Sequence, residues 1–359
     1  MTVPAPLHQK GIIGVDGGGL EFVEDAAIPA LEDDMVLVRN SAVAVNPVDA
    51  KMSAPNLVTP RALAGHDFAG IVEAIGSKVW TASPIAIGDR VCGAVQGLHK
   101  LSPNVGAYAE YVGASDVAVI KVPDHMSMEE AASLGTGIGT MGLALFHNLG
   151  VPGYPTKPAA TPKTVLVYGG STASGTIALQ LLKLSGLTPI TTCSPSNFDL
   201  VRSYGAAHCF DYRSETCIED IKKFTKDALK YIIDCVSEPD TMEFCHKCVG
   251  RTGGKLTTLE PPPKYLTSRA RTVKVDWVLG PALHGKQIAW PPPMEREASS
   301  EMREFAKTWF TTVQELVDQG KVKTHPLKVM DGGLPAVLDG LQLLKDKKIS
   351  GQKLVYNIA

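Results

Sequence analysis

The chain has 359 residues, 44% of them hydrophobic and 20% charged, which is typical of a globular protein with room for two domains. Its 35 Lys and Arg against 37 Asp and Glu give a formal charge of −2, which argues against nucleic acid or a membrane surface as a partner. The first ten residues lack a signal-peptide pattern, and no apolar run reaches the roughly 18 residues of a membrane span. We expect a cytoplasmic protein that acts on small molecules.

Seven cysteines form an odd and scattered set, which favours free thiols over a disulfide framework. Cys245 and Cys248 have CxxC spacing, but no second CxxC accompanies them. We expect buried cysteines of a helix there, with a redox or zinc pair as the alternative.

Short alternating strands and turns are predicted from residue 36 to residue 73, and β-rich sequence continues to residue 112. This pattern indicates a small barrel-like domain. A helix should then begin at Met128, with Ser127 as its N-cap and Glu130 completing a capping box. Residues 135–140 follow, and a further helix should run through Asn148.

The prolines of residues 152–162 indicate a connection between domains. After it, an aliphatic strand over residues 165–168 should lead through Gly169 and Gly170 into a helix that stops at Gly186, and residues 189–193 should close a βαβ unit. Strands are also predicted at 206–212, 230–235 and 254–259, separated by helical segments. This alternation is typical of a doubly wound α/β sheet.

The turn at residues 169–175 has the small residues that a dinucleotide pyrophosphate requires at a helix N-terminus. The glycines allow a tight turn, and residues 171–174 aim N–H groups and hydroxyls at the phosphates. An ordinary strand-to-helix connection is the alternative, because the pattern departs from G-x-G-x-x-G.

Beyond residue 259, two triple-proline runs at 261–263 and 291–293 indicate that the chain leaves the sheet. An amphipathic helix is predicted near residues 301–319, and a final strand at Val355. Asp234 and Tyr231 are interpreted as turn and packing residues of a strand.

Five motifs then occur in order around the dinucleotide turn: residues 46–49 (Asn-Pro-Val-Asp), 65–72 (Gly-His-Asp-Phe-Ala-Gly-Ile-Val), 88–91 (Gly-Asp-Arg-Val), 106–111 (Gly-Ala-Tyr-Ala-Glu-Tyr) and 350–355 (Ser-Gly-Gln-Lys-Leu-Val). With this order the chain resembles the medium-chain dehydrogenases/reductases over nearly its whole length. The resemblance implies an α/β fold with a GroES-like β-rich catalytic domain plus a doubly wound parallel-sheet Rossmann domain. We place the catalytic domain at 1–155 and 301–359 and the Rossmann domain at 156–300.

Zinc enzymes of this superfamily bind catalytic zinc with Cys, His and Cys, but here Asn46 or its neighbours stand at the first position and residues 135–140 at the third. Only His66 remains, and Cys92 is the only cysteine between Gly88 and Val151. A single imidazole does not hold tetrahedral zinc. We therefore expect no zinc, and His66 as a hydrogen-bonded loop histidine.

Within the zinc-free branch, five further strings resemble the fungal trans-acting enoyl reductases of the lovastatin type: residues 46–52, 166–173, 192–200, 210–213 and 276–281. Such proteins serve highly reducing polyketide synthases, including synthase–peptide synthetase hybrids. The resemblance implies hydride transfer to the β-carbon of an α,β-unsaturated polyketide thioester on an acyl carrier domain. It also implies a monomer, and the proline runs beside the edge of the sheet favour the same state.

NADPH is the expected cofactor because the strand ending at Cys193 is followed by Ser194, Pro195, Ser196 and Asn197, without a carboxylate to repel a 2′-phosphate. A helix N-cap cluster is the alternative interpretation. Carried over by resemblance, the cofactor-binding residues are Val48, Asp49, Ala50, Lys51, Thr172, Ala173, Ser174, Gly175, Pro195, Ser196, Asn197, Phe198, Tyr212, Leu259, Glu260, Ser350 and Gly351. Glu260 would have to contribute its backbone, since its carboxylate would repel the cofactor.

The resemblance also implies a set of substrate-binding residues: Met141, Gly142, Leu143, Ala144, Leu145, Phe146, His147, Asn148, Gly280, Pro281, Ala282, Leu283 and His284. Lys51 and Thr140 are the catalytic candidates, as hydrogen-bond donors that orient the cofactor and the thioester. Their alternatives are a surface lysine and a helix N-cap. Water or an unidentified acid would supply the proton.

Alternative functions are a free-standing NADPH quinone or enone oxidoreductase, a non-enzymatic NADPH-binding protein and a methyltransferase. A basic cluster of Lys264, Arg269, Arg271 and Lys274 is a candidate docking surface for an acidic carrier domain, although such runs are often solvated faces.

Overall fold

The computed structural model describes residues 8–266 and 271–358. Strands in this part of the chain are β1 His8–Gly14, β2 Leu20–Ala27, β3 Met35–Ala44, β4 Asp67–Ile75, β5 Arg90–Ala94, β6 Tyr111–Ser115, β7 Val119–Lys121, β8 Thr164–Tyr168, β9 Thr188–Cys193, β10 His208–Asp211, β11 Tyr231–Asp234, β12 Gly254–Thr258, β13 Val273–Trp277, β14 Leu327–Met330 and β15 Lys353–Asn357.

The α-helices in the same part are α1 Pro47–Met52, α2 Met128–Ala132, α3 Gly135–Gly142, α4 Ala173–Leu184, α5 Phe198–Ser203, α6 Cys217–Phe224, α7 Pro239–Cys248, α8 Ser300–Asp318 and α9 Gly333–Lys345. No helix among the described residues is both long and apolar enough to cross a lipid bilayer.

The chain divides into two compact units. The first runs to Gly139 and resumes at Pro281, and the second spans Thr140–Gly280. Our sequence-based domain limits lie further along the chain, after residues 155 and 300, and they stay a prediction. The segment around Asn148 comes before the proline-rich connection, yet it belongs to the second unit because Asn148 hydrogen-bonds to Thr257 and Asp276.

The first unit is built on a seven-stranded sheet in the order β14-β15-β3-β4-β5-β7, with β6 pairing to β3 and a separate β1-β2 hairpin. The sheet is antiparallel apart from the β14-β15 pair. Strand β15, from the end of the chain, lies between β14 and β3. The β-rich catalytic domain and the final strand at Val355 are therefore confirmed.

A buried ion pair joins β15 to β4. Lys353 is 4% exposed and Asp67 is fully buried, and the Nζ of Lys353 lies 2.6 Å from Oδ2 of Asp67. The same ammonium donates to the carbonyl of Ser133, just after α2, at 2.9 Å. Three segments distant in sequence are thereby fixed to one another.

The second unit is built on a parallel sheet in the order β10-β9-β8-β11-β12-β13, so the doubly wound prediction is confirmed. Its aliphatic core includes Leu166, Ile190, Ile232 and Leu256. The expectation that the chain leaves this sheet at residues 261–263 is wrong, because β13 adds a sixth strand beyond them. The charged side chains of Lys274 and Asp276 alternate with Val273, Val275 and Trp277, which is the pattern of a half-buried edge strand.

Several local predictions are confirmed. Ser127 accepts a hydrogen bond from the backbone of Glu130, whose side chain completes the capping box of α2. Gly186, with φ of 73°, follows α4 as the expected stop. Cys245 and Cys248 are buried in α7, and α8 matches the predicted amphipathic helix.

The substitution Lys353→Met should lower the free energy of unfolding by about 3–5 kcal/mol, because it leaves the Asp67 carboxylate buried without its cation. Lys348→Met is the matched control, since Lys348 is 64% exposed and pairs only with a surface carboxylate. Urea denaturation of both variants measures the difference. Equal stability of the two would show that the buried pair contributes nothing to folding.

Candidate functional site

The turn between β8 and α4 is shaped for close approach by a ligand. Gly169 has φ of 76°, a conformation that favours glycine. Thr172 caps α4, because its hydroxyl accepts from the backbone of Gly175 at 3.0 Å and donates to the carbonyl of Gly169 at 2.8 Å. A Cβ on Gly175 would lie 2.3 Å from the Gly169 oxygen, so this position requires glycine. The turn therefore has the backbone geometry of a phosphate-binding site at a helix N-terminus.

The predicted cofactor residues of the second unit meet at one edge of the sheet. Thr172, Ala173 and Ser174 follow β8, residues 195–198 follow β9, Tyr212 follows β10, and Leu259 and Glu260 follow β12. The strands are parallel, so their carboxyl ends lie together, and the strand order reverses between β8 and β11. Ligands bind at such a reversal in doubly wound sheets.

Strand β9 ends at Cys193 as predicted, and none of residues 194–197 that follow it has a carboxylate. Residues Pro195–Asn197 form a 3-10 turn, and the side chains of Ser194 and Asn197 make no capping hydrogen bond. Ser194 and Asn197 therefore occupy N-cap positions, as the alternative interpretation had it, but without the side-chain hydrogen bonds of a cap.

An arginine that our sequence analysis did not assign lies beside this segment. Asp211 is in register with Cys193, which places Tyr212 next to Ser194 at the ends of β10 and β9. The guanidinium of Arg213 lies 5.2 Å from the centre of the Tyr212 ring. Its position directly after Tyr212, a predicted cofactor residue, was the available signal for it.

The loops after β11 and β12 are rigidly hydrogen-bonded. Asp234 accepts from the backbone of Val236 and Ser237, each at 2.9 Å, which confirms its role as a turn residue. The hydroxyl of Ser237 accepts from the backbone of Leu259 at 2.7 Å. The carbonyl of Glu260 accepts from the hydroxyl of Thr258 at 2.7 Å.

The predicted substrate segment begins in α3 and continues as a π-helix over Leu143–Asn148. Residues 141–145 are buried, and the Phe146 ring packs on Tyr154 at 4.8 Å between centroids. The amide of Asn148 donates to Asp276 at 2.8 Å and accepts from Thr257 at 2.5 Å. That side chain is engaged within the unit, so its contribution to a substrate would be positional.

Thr140 lies inside α3, so the alternative of a helix N-cap is wrong. A Cβ on Gly280 would lie 2.8 Å from its hydroxyl oxygen, and Gly280 therefore leaves space beside that group. The structure brings together one catalytic candidate and one predicted substrate residue.

In the first unit, α1 contains Val48, Asp49, Ala50 and Lys51. Asp49 is 1% exposed, while Lys51 is exposed in the last turn of the helix. The position of Lys51 fits a donor reaching solvent or a ligand, whereas Asp49 would serve a cofactor through its backbone.

The carboxylate of Asp49 is bound by three surrounding groups. It accepts from the backbone of Asn46 at 2.8 Å, from the phenol of Tyr108 at 2.7 Å and from Nδ1 of His66 at 2.5 Å. Burial and the neighbouring Asp49 raise the pKa of Tyr108 well above its usual value, so the phenol stays a donor. The prediction of His66 as a hydrogen-bonded loop histidine is confirmed.

Asp67 is a second buried acceptor beside this cluster. It binds the Asn46 amide at 2.9 Å and the backbone of Thr136, at the start of α3, at 2.6 Å, in addition to Lys353. Asn46 links the two carboxylates, because its backbone serves Asp49 and its side chain serves Asp67. Asp67, Tyr108 and Lys353 were missed from the sequence, since their partners are far away along the chain.

Ser350 and Gly351 precede β15 in a turn, where Gly351 has φ of 65°. Strand β15 runs antiparallel to β3, with Val355 opposite Ala44. The residues before β15 and those of α1 after β3 therefore lie at the same end of the sheet. Residues Gly280–His284 form a 3-10 helix in which Leu283 and His284 are buried.

Metal ligands do not assemble around His66. Residues 8–266 and 271–358 contain no group of three or more His, Cys, Asp and Glu side chains that could hold a metal ion. Nδ1 of His66 is bound to Asp49, and the amide of Asn46, at or beside the first ligand position of the zinc enzymes, is bound to Asp67. The residues present do not fit the tetrahedral zinc site of the superfamily.

Acid should destabilise the protein through two buried histidines. Burial lowers the pKa of both His284 and His325 from 6.5 to about 4, and nearby cations including Lys286 and Lys353 act in the same direction. The unfolded chain therefore binds more protons than the folded chain between pH 6.5 and 4. Their contribution is complete above pH 6.5 and is lost as the pH falls towards 4, with a slope of about 1.4 kcal/mol per pH unit for each histidine.

Denaturation curves of the native chain and His325→Gln at pH 7.5, 6 and 5 measure this slope. The variant should show a shallower decline. Parallel declines in both proteins would contradict the assignment to His325.

Two family models match the chain. The alcohol dehydrogenase GroES-like domain matches residues 32–124, and the zinc-binding dehydrogenase model matches residues 173–259. Among solved structures, the CurK enoyl reductase has a TM-score of 0.75 at 18% identity, covering 98% of this chain and 100% of that one. A quinone oxidoreductase of Pseudomonas syringae has a TM-score of 0.73 at 21% identity, covering 97% and 99%. At these identities the structures support the fold alone.

Curated relatives are much closer in sequence. A trans-enoyl reductase of Gibberella zeae is 58% identical over 98% of both chains. A trans-enoyl reductase of a Fusarium species is 48% identical, over 98% of this chain and 99% of the relative, and one of Talaromyces variabilis is 45% identical over 97% of each. The chain therefore belongs to the medium-chain dehydrogenase/reductase superfamily and, within it, to the fungal trans-enoyl reductases.

Proposed function

We propose that this protein is an NADPH-dependent enoyl reductase that acts in trans on the α,β-unsaturated thioester of a polyketide synthase. The observation that carries the proposal is the near full-length similarity to trans-enoyl reductases. The glycine turn between β8 and α4, at the point where the strand order reverses, supports it as a site for the dinucleotide phosphates. When bound, the reduced nicotinamide supplies the hydride.

The environment of β9 supports NADPH over NADH. Ser194, Ser196 and Asn197 offer hydroxyl and amide donors to a 2′-phosphate, and Arg213 adds a cation at the neighbouring strand end. An acidic residue at this position would instead accept from a free ribose hydroxyl. We infer that the remaining predicted cofactor residues bind the rest of the molecule.

Lys51 and Thr140 carry the donors that the reaction requires. Hydride addition at the β-carbon places negative charge on the thioester oxygen, and an ammonium or hydroxyl aimed at that oxygen stabilises the charge. The hydrogen bonds of Asp49 fix α1, and thereby the backbone from which Lys51 extends. Water or an acid still to be identified protonates the α-carbon. We propose that the reaction proceeds without zinc, since the described residues form no group of three or more metal ligands around His66 and the amide of Asn46 is bound to Asp67.

The proposed substrate arrives on an acyl carrier domain of a synthase or synthase–peptide synthetase hybrid, in the cytoplasm. Lys264, Arg271 and Lys274 of the basic cluster are described, and Arg269 lies outside the described residues. We also propose a monomer. The triple prolines flank β13 without entering it, so charged Lys274 and Asp276, rather than missing donors, would disfavour edge pairing.

The substitution Lys51→Ala should reduce kcat for enoyl thioesters about a hundredfold, the typical effect of losing one donor to a developing oxyanion. NADPH oxidation by the purified protein with α,β-unsaturated pantetheine thioesters measures this loss. Lys223→Ala, an exposed lysine on α6, is the control. Reduction of quinones but of no thioester would instead identify the protein as a quinone oxidoreductase.

Ser194→Asp should raise KM for NADPH about tenfold or more and lower KM for NADH, because a carboxylate at the end of β9 repels the 2′-phosphate and accepts from a ribose hydroxyl. Ser203→Asp, on exposed α5, adds the same charge elsewhere and should change neither constant. An unchanged NADPH preference in Ser194→Asp would place the 2′-phosphate away from β9.

A further inference from the structure

A cavity of about 50 Å³ lies within the first unit. It is bordered by the start of β3, the end of β6, the loop after β5 and the segment that follows the 3-10 helix Gly280–His284. Its walls include Met35, Gln96, His99, Ser115, His284 and Lys286.

Three of the residues that line the cavity have a buried polar atom without a hydrogen-bond partner among the described residues: Nε2 of Gln96, Oγ of Ser115 and Nδ1 of His284. His284 is 8% exposed. An unsatisfied buried polar atom costs about 1–3 kcal/mol, and most such atoms in folded proteins are paired. Three of them around one cavity indicate a place built to bind a polar group.

The charges around the cavity favour a neutral occupant. Burial lowers the pKa of Lys286, but its hydrogen bonds to Glu32 and Asp34, each at 3.0 Å, outweigh burial and raise it. Its ammonium is therefore already neutralised by two carboxylates. His284 is uncharged at neutral pH, because burial and Lys286 lower its pKa to about 4. No unpaired cation among these groups is left for an anion.

The size limits the occupant further. A water molecule needs roughly 10–15 Å³ of such space, so the cavity accommodates about three or four non-hydrogen atoms. An amide group, with three non-hydrogen atoms, has this size, as does a hydroxyl with two carbons.

We propose that this cavity binds a neutral amide or hydroxyl group, with Gln96 and Ser115 donating to its oxygen and His284 accepting from its N–H or O–H. This inference rests on the proposed function and deepens it, because a polyketide thioester on a carrier domain contains both kinds of group. The pantetheine arm contains amides, and a polyketide chain contains hydroxyls. The site would help to select substrates that carry such a group.

Binding of a small amide or alcohol to the cavity is tested first, in the absence of any reaction. In full-length protein labelled with ¹⁵N-histidine, addition of N-methylacetamide or ethanol should shift the Nδ1 resonance of His284 in a saturable way. The resonance is assigned by its loss in His284→Asn. The double variant Gln96→Leu/Ser115→Ala should lose the shift, whereas Gln342→Leu, an exposed glutamine on α9, should retain it. Absence of a shift with both probes would mean a cavity filled by water only, and would overturn the proposal.

Kinetics then distinguish the two sources. One arm compares enoyl thioesters of N-acetylcysteamine, which has an amide, with those of an alkyl thiol of equal length. The other compares acyl chains with and without a hydroxyl. The native protein should prefer the polar member in one arm by about tenfold in kcat/KM, and the double variant should lose that preference.

The arm that responds identifies the source of the bound group. A preference that survives in the double variant would overturn the proposal. A histidine shift without reduction of any thioester would leave the binding site supported while refuting the enoyl reductase function.

Discussion

Two neighbouring carboxylates, Asp49 and Asp67, are buried where they have no access to water, and each must be satisfied by donors from the protein itself. A buried charge without partners costs several kcal/mol, so each of these donors contributes to the stability of the fold. The donors come from the segment before α1, from β15, from the start of α3 and from Tyr108. The same hydrogen bonds that satisfy the charges therefore fix the helix that carries Lys51.

In zinc enzymes of the superfamily, metal ligands stand at the positions of Asn46 or its neighbours and of His66. Here Nδ1 of His66 binds Asp49, and Asn46 binds both Asp49 and Asp67. The chemistry we propose needs no Lewis acid, because donors from Lys51 and Thr140 would act on the thioester oxygen. The superfamily fold is retained, and the means of stabilising negative charge differs.

Sequence reasoning succeeded where local rules decide the structure. The β8-α4-β9 unit follows from its aliphatic strand, its glycine turn and Gly186, and the cap of α2 follows from Ser127 and Glu130. It failed where a decision depends on tertiary contacts. Strand β13 was missed because proline runs suggested an exit from the sheet, and the placement of Thr140 inside α3 was not evident from a glycine-rich segment.

The polar cluster was beyond sequence reasoning for a related reason. Lys353 and Asp67 are 286 positions apart, and Tyr108 and Asp49 are 59 apart. No pattern of spacing connects such residues. Arg213 is different, because it directly follows a predicted cofactor residue and only its cation–π geometry with Tyr212 required coordinates.

The position of β15 between β14 and β3 has a consequence for biosynthesis. During translation the sheet of the first unit lacks its inner strand β15 until residues 353–357 have been made, which leaves residues 42–44 of β3 unpaired on one side. The second unit is contiguous in sequence and becomes complete much earlier. The unit with the parallel sheet can thus fold first, and the sheet of the first unit can close only after residues 353–357 have left the ribosome.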